Sequence, residues 1–285
     1  MLAWWSILLI IFIAYSILAW SVYFMQSSFI YRPVRNVPYT PTDMDLIYEK
    51  VALKTADGLK IAAWFIPCEK AKMTVLFCHG NGGNMAHRLD TINILNELGL
   101  NCLIFDYRGY GDSQGKTTEN GTYLDAQAAW KWLTHKKGIK AEQIIIFGRS
   151  LGGSVAANLA ARTIPAGLIL ESAFTSFPAI GAKYYPYLPV KLFAAFSYNT
   201  VESLKKINCP LLVMHSKRDE IVPYEFGPQI YEAANEPKEF VEILGCHNDG
   251  FLFSGQTYRN AWANWLESIH EYNYESDNQI QRQIS

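Results

Sequence analysis

The stretch Ile144–Gly153 constrains the fold of this chain most strongly. Its sequence is Ile-Ile-Ile-Phe-Gly-Arg-Ser-Leu-Gly-Gly, so a run of large apolar residues stops at a glycine, presents Ser150 and continues through two more glycines. This pattern predicts a buried strand that turns sharply into a helix, with Ser150 on the turn. Such a turn leaves no room for side chains two residues away on either side, and Gly148 and Gly152 meet that requirement. An ordinary Gly/Ser-rich loop is the alternative interpretation.

Strands and helices alternate along most of the chain. A β-hairpin is predicted at residues 47–53 and 59–66, around the turn Ala56-Asp57-Gly58. Apolar runs predict further strands at residues 74–78, 102–105, 143–147, 168–170, 211–214 and 240–244, with helices near residues 92–98, 123–133, 155–161, 230 and 258–269. This alternation predicts an α/β fold with a mostly parallel sheet and helices on both faces. In such sheets, ligands bind at the carboxyl ends of the strands.

The amino-terminal segment has the composition of a membrane anchor. Residues 1–31 carry no charged side chain, and residues 2–25 are almost uninterruptedly apolar. A helix of that length crosses a hydrocarbon layer of about 30 Å, so residues 1–25 are predicted to form a single-pass transmembrane anchor. Arg32 and Arg35 follow it, which favours a cytoplasmic location for the rest of the chain. A cleaved signal peptide and a core helix of a soluble domain are the alternatives.

The remaining chain divides into a linker, one large domain and a tail. Residues 26–46 contain three prolines among polar residues and are predicted to be a linker, followed by a folded domain at 47–272 and a disordered polar tail at 273–285. A net charge of −1 does not indicate a nucleic-acid partner. The five cysteines are odd in number and scattered, so they are interpreted as core residues rather than as disulfides or metal ligands.

Candidate catalytic residues follow the ends of predicted strands. Ser150 needs a base to become a nucleophile, and the base needs a carboxylate that fixes its tautomer. We predict His247 as the base and Asp219 as the carboxylate. Other acidic residues compete with Asp219 for that role, namely Glu171, Glu220 and Asp249. His79 also ends a strand, but a structural role is expected for it, and His215 precedes the predicted acid.

Two main-chain N–H groups are expected to stabilise the negative charge that forms on a carbonyl oxygen under attack. Leu151 supplies one at the start of the helix after Ser150. Asn81 is predicted to supply the other, since it lies in the glycine-rich loop His79–Asn84, where the main chain can approach a substrate. That loop lacks the Lys-Ser/Thr ending of a phosphate-binding loop, so a nucleotide site is not expected.

The motifs His79–Gly83 and Gly148–Gly153, followed by Asp219 and His247, resemble the α/β-hydrolase superfamily of serine hydrolases over residues 47–272. Together with the stretch Asp106–Gly111, they look like a membrane-anchored branch that is similar to depalmitoylating thioesterases and to monoacylglycerol or lysophospholipid lipases. The resemblance implies an α/β-hydrolase fold and a triad of Ser150, Asp219 and His247. It implies the type of reaction more closely than the substrate.

An aromatic insert at about residues 173–204 occupies the place where this superfamily carries its lid. Its rings are more typical of a core than of a pocket, but Phe174, Phe177, Tyr184 and Tyr185 are candidate substrate-binding residues. Beside an anchor, an apolar lid suits a fatty acyl substrate, so we expect hydrolysis of acyl esters or thioesters in lipids or acylated proteins. No metal or organic cofactor is expected. The alternatives are a serine peptidase of the same superfamily and a non-catalytic scaffold.

Overall fold

A computed structural model describes residues 4–269 of the chain, without the side chains of residues 22 and 29. The predicted disordered tail at 273–285 and the predicted end of the domain at residue 272 lie outside the described residues.

Eight strands form one sheet. They are β1 Glu49–Lys54, β2 Lys60–Ile66, β3 Thr74–Cys78, β4 Asn101–Phe105, β5 Ile144–Arg149, β6 Gly167–Glu171, β7 Leu211–Ser216 and β8 Lys238–Ile243. The order across the sheet is β1-β2-β4-β3-β5-β6-β7-β8. β2 pairs antiparallel with β1 and β4, and the neighbouring pairs from β4 to β8 are parallel. The predicted hairpin and mostly parallel sheet are therefore present.

Helices cover both faces of this sheet. They are α1 Trp4–Ile30, α2 Leu89–Glu97, α3 Glu119–Lys131, α4 Leu151–Ala160, α5 Phe177–Tyr184, α6 Val190–Phe193, α7 Thr200–Leu204, α8 Phe226–Ala233, α9 Gly250–Phe253 and a last helix, α10, at residues 256–269. Side chains along a strand point alternately to opposite faces, so β5 feeds two apolar cores. Ile144 and Ile146 pack on the side of α3, α4 and α8, while Ile145 and Phe147 pack on the side of α2 and α10.

The helix α1 is longer than the predicted anchor. It has 27 residues, about 40 Å at 1.5 Å per residue, and continues to Ile30 rather than ending near residue 25. Its window of mean hydropathy 2.3 lies within Trp4–Ser28, and the side chains of that window are not buried in the protein. By length and composition this helix could cross a membrane.

The segment predicted as a linker is packed on the domain. Arg32–Pro33 pair in parallel with Gly82–Gly83, and Pro41–Met44 form a 3₁₀ turn. Ile30 and Tyr31 are buried. The segment predicted as a linker at 26–46 is therefore in contact with the domain, through hydrogen-bonding partners that lie about 50 residues further along the chain and leave no local signature in the sequence.

Candidate active site

Ser150 lies on a strained turn between β5 and α4. Its backbone has φ 54° and ψ −122°, a left-handed φ that residues with a side chain rarely adopt. A Cβ atom at Gly152 would overlap the main chain of Cys78, and one at Gly148 would lie 2.6 Å from the Cβ of Ala156. The two glycines thus allow α4 to cross close over β3 and β5, as the sequence pattern predicts.

His247 joins Ser150 to Asp219. The Nε2 atom of His247 lies 3.0 Å from the Ser150 Oγ, and its Nδ1 atom lies 2.8 and 2.9 Å from the two carboxylate oxygens of Asp219. Both His247 and Asp219 are buried. A carboxylate that accepts a hydrogen bond from Nδ1 keeps the proton there and leaves the Nε2 lone pair facing the serine hydroxyl. The structure therefore brings the three predicted residues into contact.

The Asp219 carboxylate is held ionised by its surroundings. Burial alone would raise the pKa of Asp219, but hydrogen bonds from His215 and His247 outweigh burial and lower that pKa below its ordinary value. The main-chain N–H groups of Ile221 and Val222 also donate to Oδ1, at 2.9 and 2.7 Å. An ionised Asp219 is the form that orients a histidine and stabilises its protonated state.

The competing carboxylates are engaged elsewhere. Glu171 accepts hydrogen bonds from Arg149 at 2.7 Å and from the Tyr258 hydroxyl at 2.7 Å. Asp249 accepts the main-chain N–H of Cys246 at 2.6 Å. Glu220 accepts the main-chain N–H of His247 at 3.0 Å and so helps to place that residue without contacting its ring.

His215 is a contact of the site for which the sequence reasoning predicted no role. Its Nε2 lies 2.9 Å from the Val222 carbonyl and 3.4 Å from Asp219 Oδ2. The sequence signal was available, because His215 lies near the carboxyl end of the same strand, β7, that precedes Asp219.

The loop that carries Asn81 lies against Ser150. A Cβ atom at Gly80 would lie 3.5 Å from the Ser150 Cβ and from the Arg149 carbonyl oxygen, so this loop passes close to the serine. Leu151 is the first residue of α4, where main-chain N–H groups have no partner within the helix and are free to bind an anion. The two predicted oxyanion donors thus belong to segments that flank the Ser150 side chain.

Beneath this loop lies a buried polar cluster. His79 approaches Asp106 with Nε2 to Oδ1 at 3.3 Å, and Asp106 accepts the Met85 N–H at 2.7 Å. The Tyr107 hydroxyl donates to the His79 carbonyl at 2.9 Å. These contacts fit the structural role expected for His79. Asp106 is fully buried, and its Oδ1 is the oxygen that contacts both His79 and the Met85 N–H.

The aromatic insert forms α5, α6 and α7. Phe174 is buried in the core with its ring 6.5 Å from that of Phe177, so the structure places it in the interior rather than at an open substrate surface. The Tyr184 hydroxyl donates to the main-chain carbonyls of Glu220 and Ile221, at 3.1 and 2.6 Å, and so ties the insert to the loop that carries Asp219.

An apolar cavity of about 240 Å³ lies between the insert and α1. Phe177 and Tyr185 line it from the insert, and Ala19, Tyr23 and Ile30 line it from α1. Of the four candidate substrate-binding residues, these two therefore face the same apolar space. Across residues 4–269 no cluster of His, Cys, Asp or Glu side chains is arranged to hold a metal ion.

One of the five cysteines, Cys246, is not a core residue as predicted. Cys78 and Cys102 are buried, and Cys68 and Cys209 are half-buried, whereas Cys246 is exposed beside His247. Its loop position after β8 leaves the thiol outside both apolar cores.

Comparison with known proteins assigns the fold. The family model described as alpha/beta hydrolase fold matches residues 74–195. The chain is 33% identical to the Arabidopsis thaliana alpha/beta hydrolase domain-containing protein WAV2, over 87% of this chain and 88% of that protein. It is also 33% identical to the human alpha/beta hydrolase domain-containing protein 17B, over 75% of this chain and 74% of that protein.

A solved structure supports the same assignment. The Pyrococcus furiosus esterase Pf2001 is 26% identical and matches 84% of this chain and 98% of its own with a TM-score of 0.71. Structural similarity to esterases supports hydrolase activity for this chain. On its sheet order, its matching family model and its relatives, the chain belongs to the α/β-hydrolase family.

Proposed function

We propose that this protein is a membrane-anchored serine hydrolase that cleaves acyl esters or thioesters through Ser150, His247 and Asp219. The observation that carries the proposal is the continuous hydrogen-bonded chain from Ser150 Oγ through the two ring nitrogens of His247 to Asp219, at 3.0 and 2.8 Å. A hydrogen-bonded serine–histidine–carboxylate chain with the serine on a strained turn is the arrangement that activates a serine hydroxyl.

Acylation begins at the Ser150 hydroxyl. The Oγ atom forms a bond to the acyl carbonyl carbon while His247 Nε2 takes the hydroxyl proton. The carbonyl oxygen becomes an oxyanion, which we assign to the main-chain N–H groups of Asn81 and Leu151. The bond to the leaving alkoxide or thiolate then breaks, and His247 returns the proton to that group.

Deacylation repeats these steps with water. His247 Nε2 removes a proton from water as the water oxygen attacks the acyl-serine carbonyl, and the collapse of the second oxyanion releases the fatty acid. The proton on His247 returns to Ser150 Oγ, so the enzyme is unchanged. Asp219 stays ionised throughout and stabilises the imidazolium formed in both halves.

The cavity between the insert and α1 supports an acylated substrate. Its lining is almost wholly apolar, and one of its walls is the helix that we propose as the anchor. Acyl chains reside in the same hydrocarbon layer that a helix of this length and hydropathy would span. Phe177 and Tyr185 are accordingly proposed as acyl contacts, with a lipid or an acylated protein as the substrate.

The location follows from the same helix. We propose a single-pass membrane protein whose hydrolase domain, beginning near residue 47, faces the cytoplasm. Arg32 and Arg35 at the domain end of α1 support this orientation, since basic residues near a transmembrane helix favour the cytoplasmic side.

Hydrolysis of an ester series with increasing acyl length tests the proposal. The full chain in detergent is compared with Ser150→Ala and, as a control, with Ser268→Ala, which removes an exposed hydroxyl on α10. We expect rates that rise with acyl length in the wild type and in the control, and a loss of about 10⁶-fold in kcat for Ser150→Ala. Thioester analogues of the same acyl groups then decide between the two leaving groups.

Other outcomes select other functions. Equal rates of ester hydrolysis for wild type and Ser150→Ala would show that Ser150 is not the nucleophile for these substrates. Preference for the shortest acyl groups would retain the triad but exclude the cavity as the acyl site. Cleavage of amino-terminal amides in place of esters would indicate a peptidase, and failure of a serine-directed phosphonate to label Ser150 would indicate a scaffold.

A further inference from the structure

The side chain of Asn81 is bonded to the end of the anchor helix. Its Oδ1 accepts the Arg32 main-chain N–H at 3.3 Å and the Tyr110 hydroxyl at 2.9 Å. Its Nδ2 donates to the carbonyl of Ile30, the last residue of α1. Two of the three partners of this side chain, Ile30 and Arg32, thus lie outside the predicted hydrolase domain, and the third, Tyr110, lies within it.

The main chain of the same loop is bonded to the segment after α1. Arg32–Pro33 pair in parallel with Gly82–Gly83, and the Val34 N–H donates to the Gly83 carbonyl at 3.2 Å. We call residues 30–36 the anchor strap. The strap adds a short strand to the edge of the Asn81 loop.

The anchor strap is itself fixed to the domain. Arg35 Nη1 donates to the carbonyls of Gly111 and Ser113, at 3.2 and 2.6 Å. The Gly111 N–H donates to the Val34 carbonyl at 3.0 Å. The Tyr31 hydroxyl lies 2.8 Å from the hydroxyl of Tyr198, which is fully buried. The domain therefore restrains the anchor strap, and the anchor strap restrains the Asn81 loop.

The composition of the loop explains why such restraint matters. Three of the four residues from Gly80 to Gly83 are glycines, and glycine has more backbone freedom to lose than any other residue. A Cβ atom at Gly80 would be in ordinary contact with Ser150 at 3.5 Å, and one at Gly82 would meet nothing within 4 Å, so these glycines free the backbone rather than make room for it. A main-chain N–H in so free a segment needs partners outside the loop to keep its direction.

We propose that the anchor strap positions the Asn81 N–H for oxyanion binding, so that the end of α1 is part of the active site. Asn81, through its side chain, and Arg35 are positioning residues. The assignment rests on the proposed function, because that function gives the Asn81 N–H its oxyanion. A misplacement of about 1 Å at a reacting centre costs up to about 100-fold in rate, which sets the expected effect of releasing the strap.

The test uses full-length protein in detergent with p-nitrophenyl acetate, whose short acyl group does not depend on the apolar cavity. Asn81→Ala keeps the main-chain N–H but removes the three side-chain bonds, and Arg35→Ala releases the strap from Gly111 and Ser113. We expect kcat to fall about 10- to 100-fold in both variants, with KM within about twofold of wild type. Arg35→Lys should recover part of kcat, since an ammonium group can still reach one carbonyl.

Matched controls separate this effect from general loss of side chains. Asn93→Ala removes an asparagine whose Nδ2 bonds Glu97 on α2, and Arg162→Ala removes an exposed arginine. Both should keep the kcat of wild type. Hydrogen–deuterium exchange of the main-chain amides of residues 80–84 is measured on every variant, and we expect faster exchange in Asn81→Ala and Arg35→Ala than in the controls.

Each outcome decides the proposal. An unchanged kcat in Asn81→Ala, or a lower kcat without faster exchange at residues 80–84, would overturn it. Wild type that neither hydrolyses the ester nor reacts with a serine-directed phosphonate would refute the proposed function instead. In that case the hydrogen–deuterium exchange data alone decide whether the anchor strap holds the Asn81 loop. Exchange at residues 80–84 that is the same in Asn81→Ala and Arg35→Ala as in wild type would show that it does not.

Discussion

Asp219 shares its carboxylate between two histidines. His247 Nδ1 lies 2.8 Å from Oδ2, and His215 Nε2 approaches the same oxygen at 3.4 Å while contacting the Val222 carbonyl at 2.9 Å. A shared Nε2–H on His215 donates mainly to the carbonyl and secondarily to the carboxylate. His215 therefore braces the loop from Asp219 to Val222, and with it the acceptor that orients His247.

Asp219→Asn is predicted to abolish most of the activity without unfolding the protein. An amide cannot carry the negative charge that keeps the His247 proton on Nδ1, so the ring would present the wrong tautomer to Ser150. We expect kcat to fall by about 10⁴-fold, measured on the ester of highest rate. Glu220→Gln serves as a control, since its side-chain oxygen still accepts the His247 N–H, and it should retain kcat within about tenfold of wild type. A fall of less than tenfold in Asp219→Asn would contradict the assignment of the acid.

The same carboxyl group predicts a pH dependence of stability. The pKa of Asp219 is lower in the folded protein than in the unfolded chain, so its ionised form stabilises the fold. That contribution is complete above the unfolded value of about 3.9 and is lost as the pH falls through the lower, folded value. The difference in unfolding free energy between wild type and Asp219→Asn should shrink as the pH falls below about 4. Denaturant unfolding in detergent at each pH measures it.

At the scale of elements, Arg108 connects three parts of the fold. From the loop after β4, its Nη2 bonds Asp125 on α3 at 2.8 Å, and its Nη1 bonds Asp57 in the β1–β2 turn at 2.7 Å. Asp125 is fully buried, whereas the Asp57 side chain is 42% exposed. Hydrogen bonds from Arg108 lower the pKa of Asp57 to about 2. The hairpin, the loop and α3 are thus joined through one guanidinium.

Arg108→Met is predicted to destabilise the fold by about 3–5 kcal/mol, because it leaves the Asp125 carboxylate buried without its cation. Replacing both partners, as Arg108→Met with Asp125→Leu, should restore most of that loss. Asp57→Asn should cost less than about 1 kcal/mol, since an exposed ion pair contributes little. Thermal or denaturant unfolding of wild type and the three variants measures these free energies of unfolding. A loss below about 1 kcal/mol in Arg108→Met alone would show that the Asp125 carboxylate has another partner.

Local sequence patterns predicted the strands of the sheet and the side chains that meet at its carboxyl edge, but not how the segment after α1 packs. β3 coincides with its predicted bounds, because a buried parallel strand is a continuous apolar run between turn residues. Ser150, Asp219 and His247 also lie together as predicted, since each follows the carboxyl end of a strand. The packing of Arg32–Pro33 against Gly82–Gly83 could not be predicted, because prolines and polar residues indicate irregular structure whether or not it is packed. The burial of Phe174 was equally hidden, since an aromatic residue suits a core and a pocket alike.

At the scale of the whole molecule, α1 exposes a large apolar surface, and contact of such a surface with water is unfavourable. Its large side chains are mostly exposed, including Trp4, Phe12, Ile13 and Trp20. We predict that the full chain remains in the membrane fraction after alkaline carbonate extraction. Ile13→Arg should increase the released fraction, since a cation near the centre of the span costs about 2.5–3.5 kcal/mol on insertion. Ile13→Leu is the control, and complete release of wild type would exclude the anchor.

The exposed thiol of Cys246 reports the side of the membrane. A membrane-impermeant maleimide should leave Cys246 unlabelled in intact cells and label it after permeabilisation when the domain is cytoplasmic. Labelling of intact cells would reverse the proposed orientation. Cys246→Ser identifies the signal from this thiol among the five cysteines.

The packing of residues 30–36 leaves the hydrolase domain without a flexible tether. Since Ile30 and Tyr31 are buried and Arg32 is paired, the last turn of α1 passes directly into the folded domain. An active site that is joined rigidly to α1 cannot move independently of that helix. With α1 in a membrane as we propose, encounters with a lipid substrate would be governed by lateral diffusion in two dimensions, and we expect turnover to follow the mole fraction of substrate among the lipids. Dilution with inert lipid would slow such an enzyme even when the amount of substrate per volume stays constant.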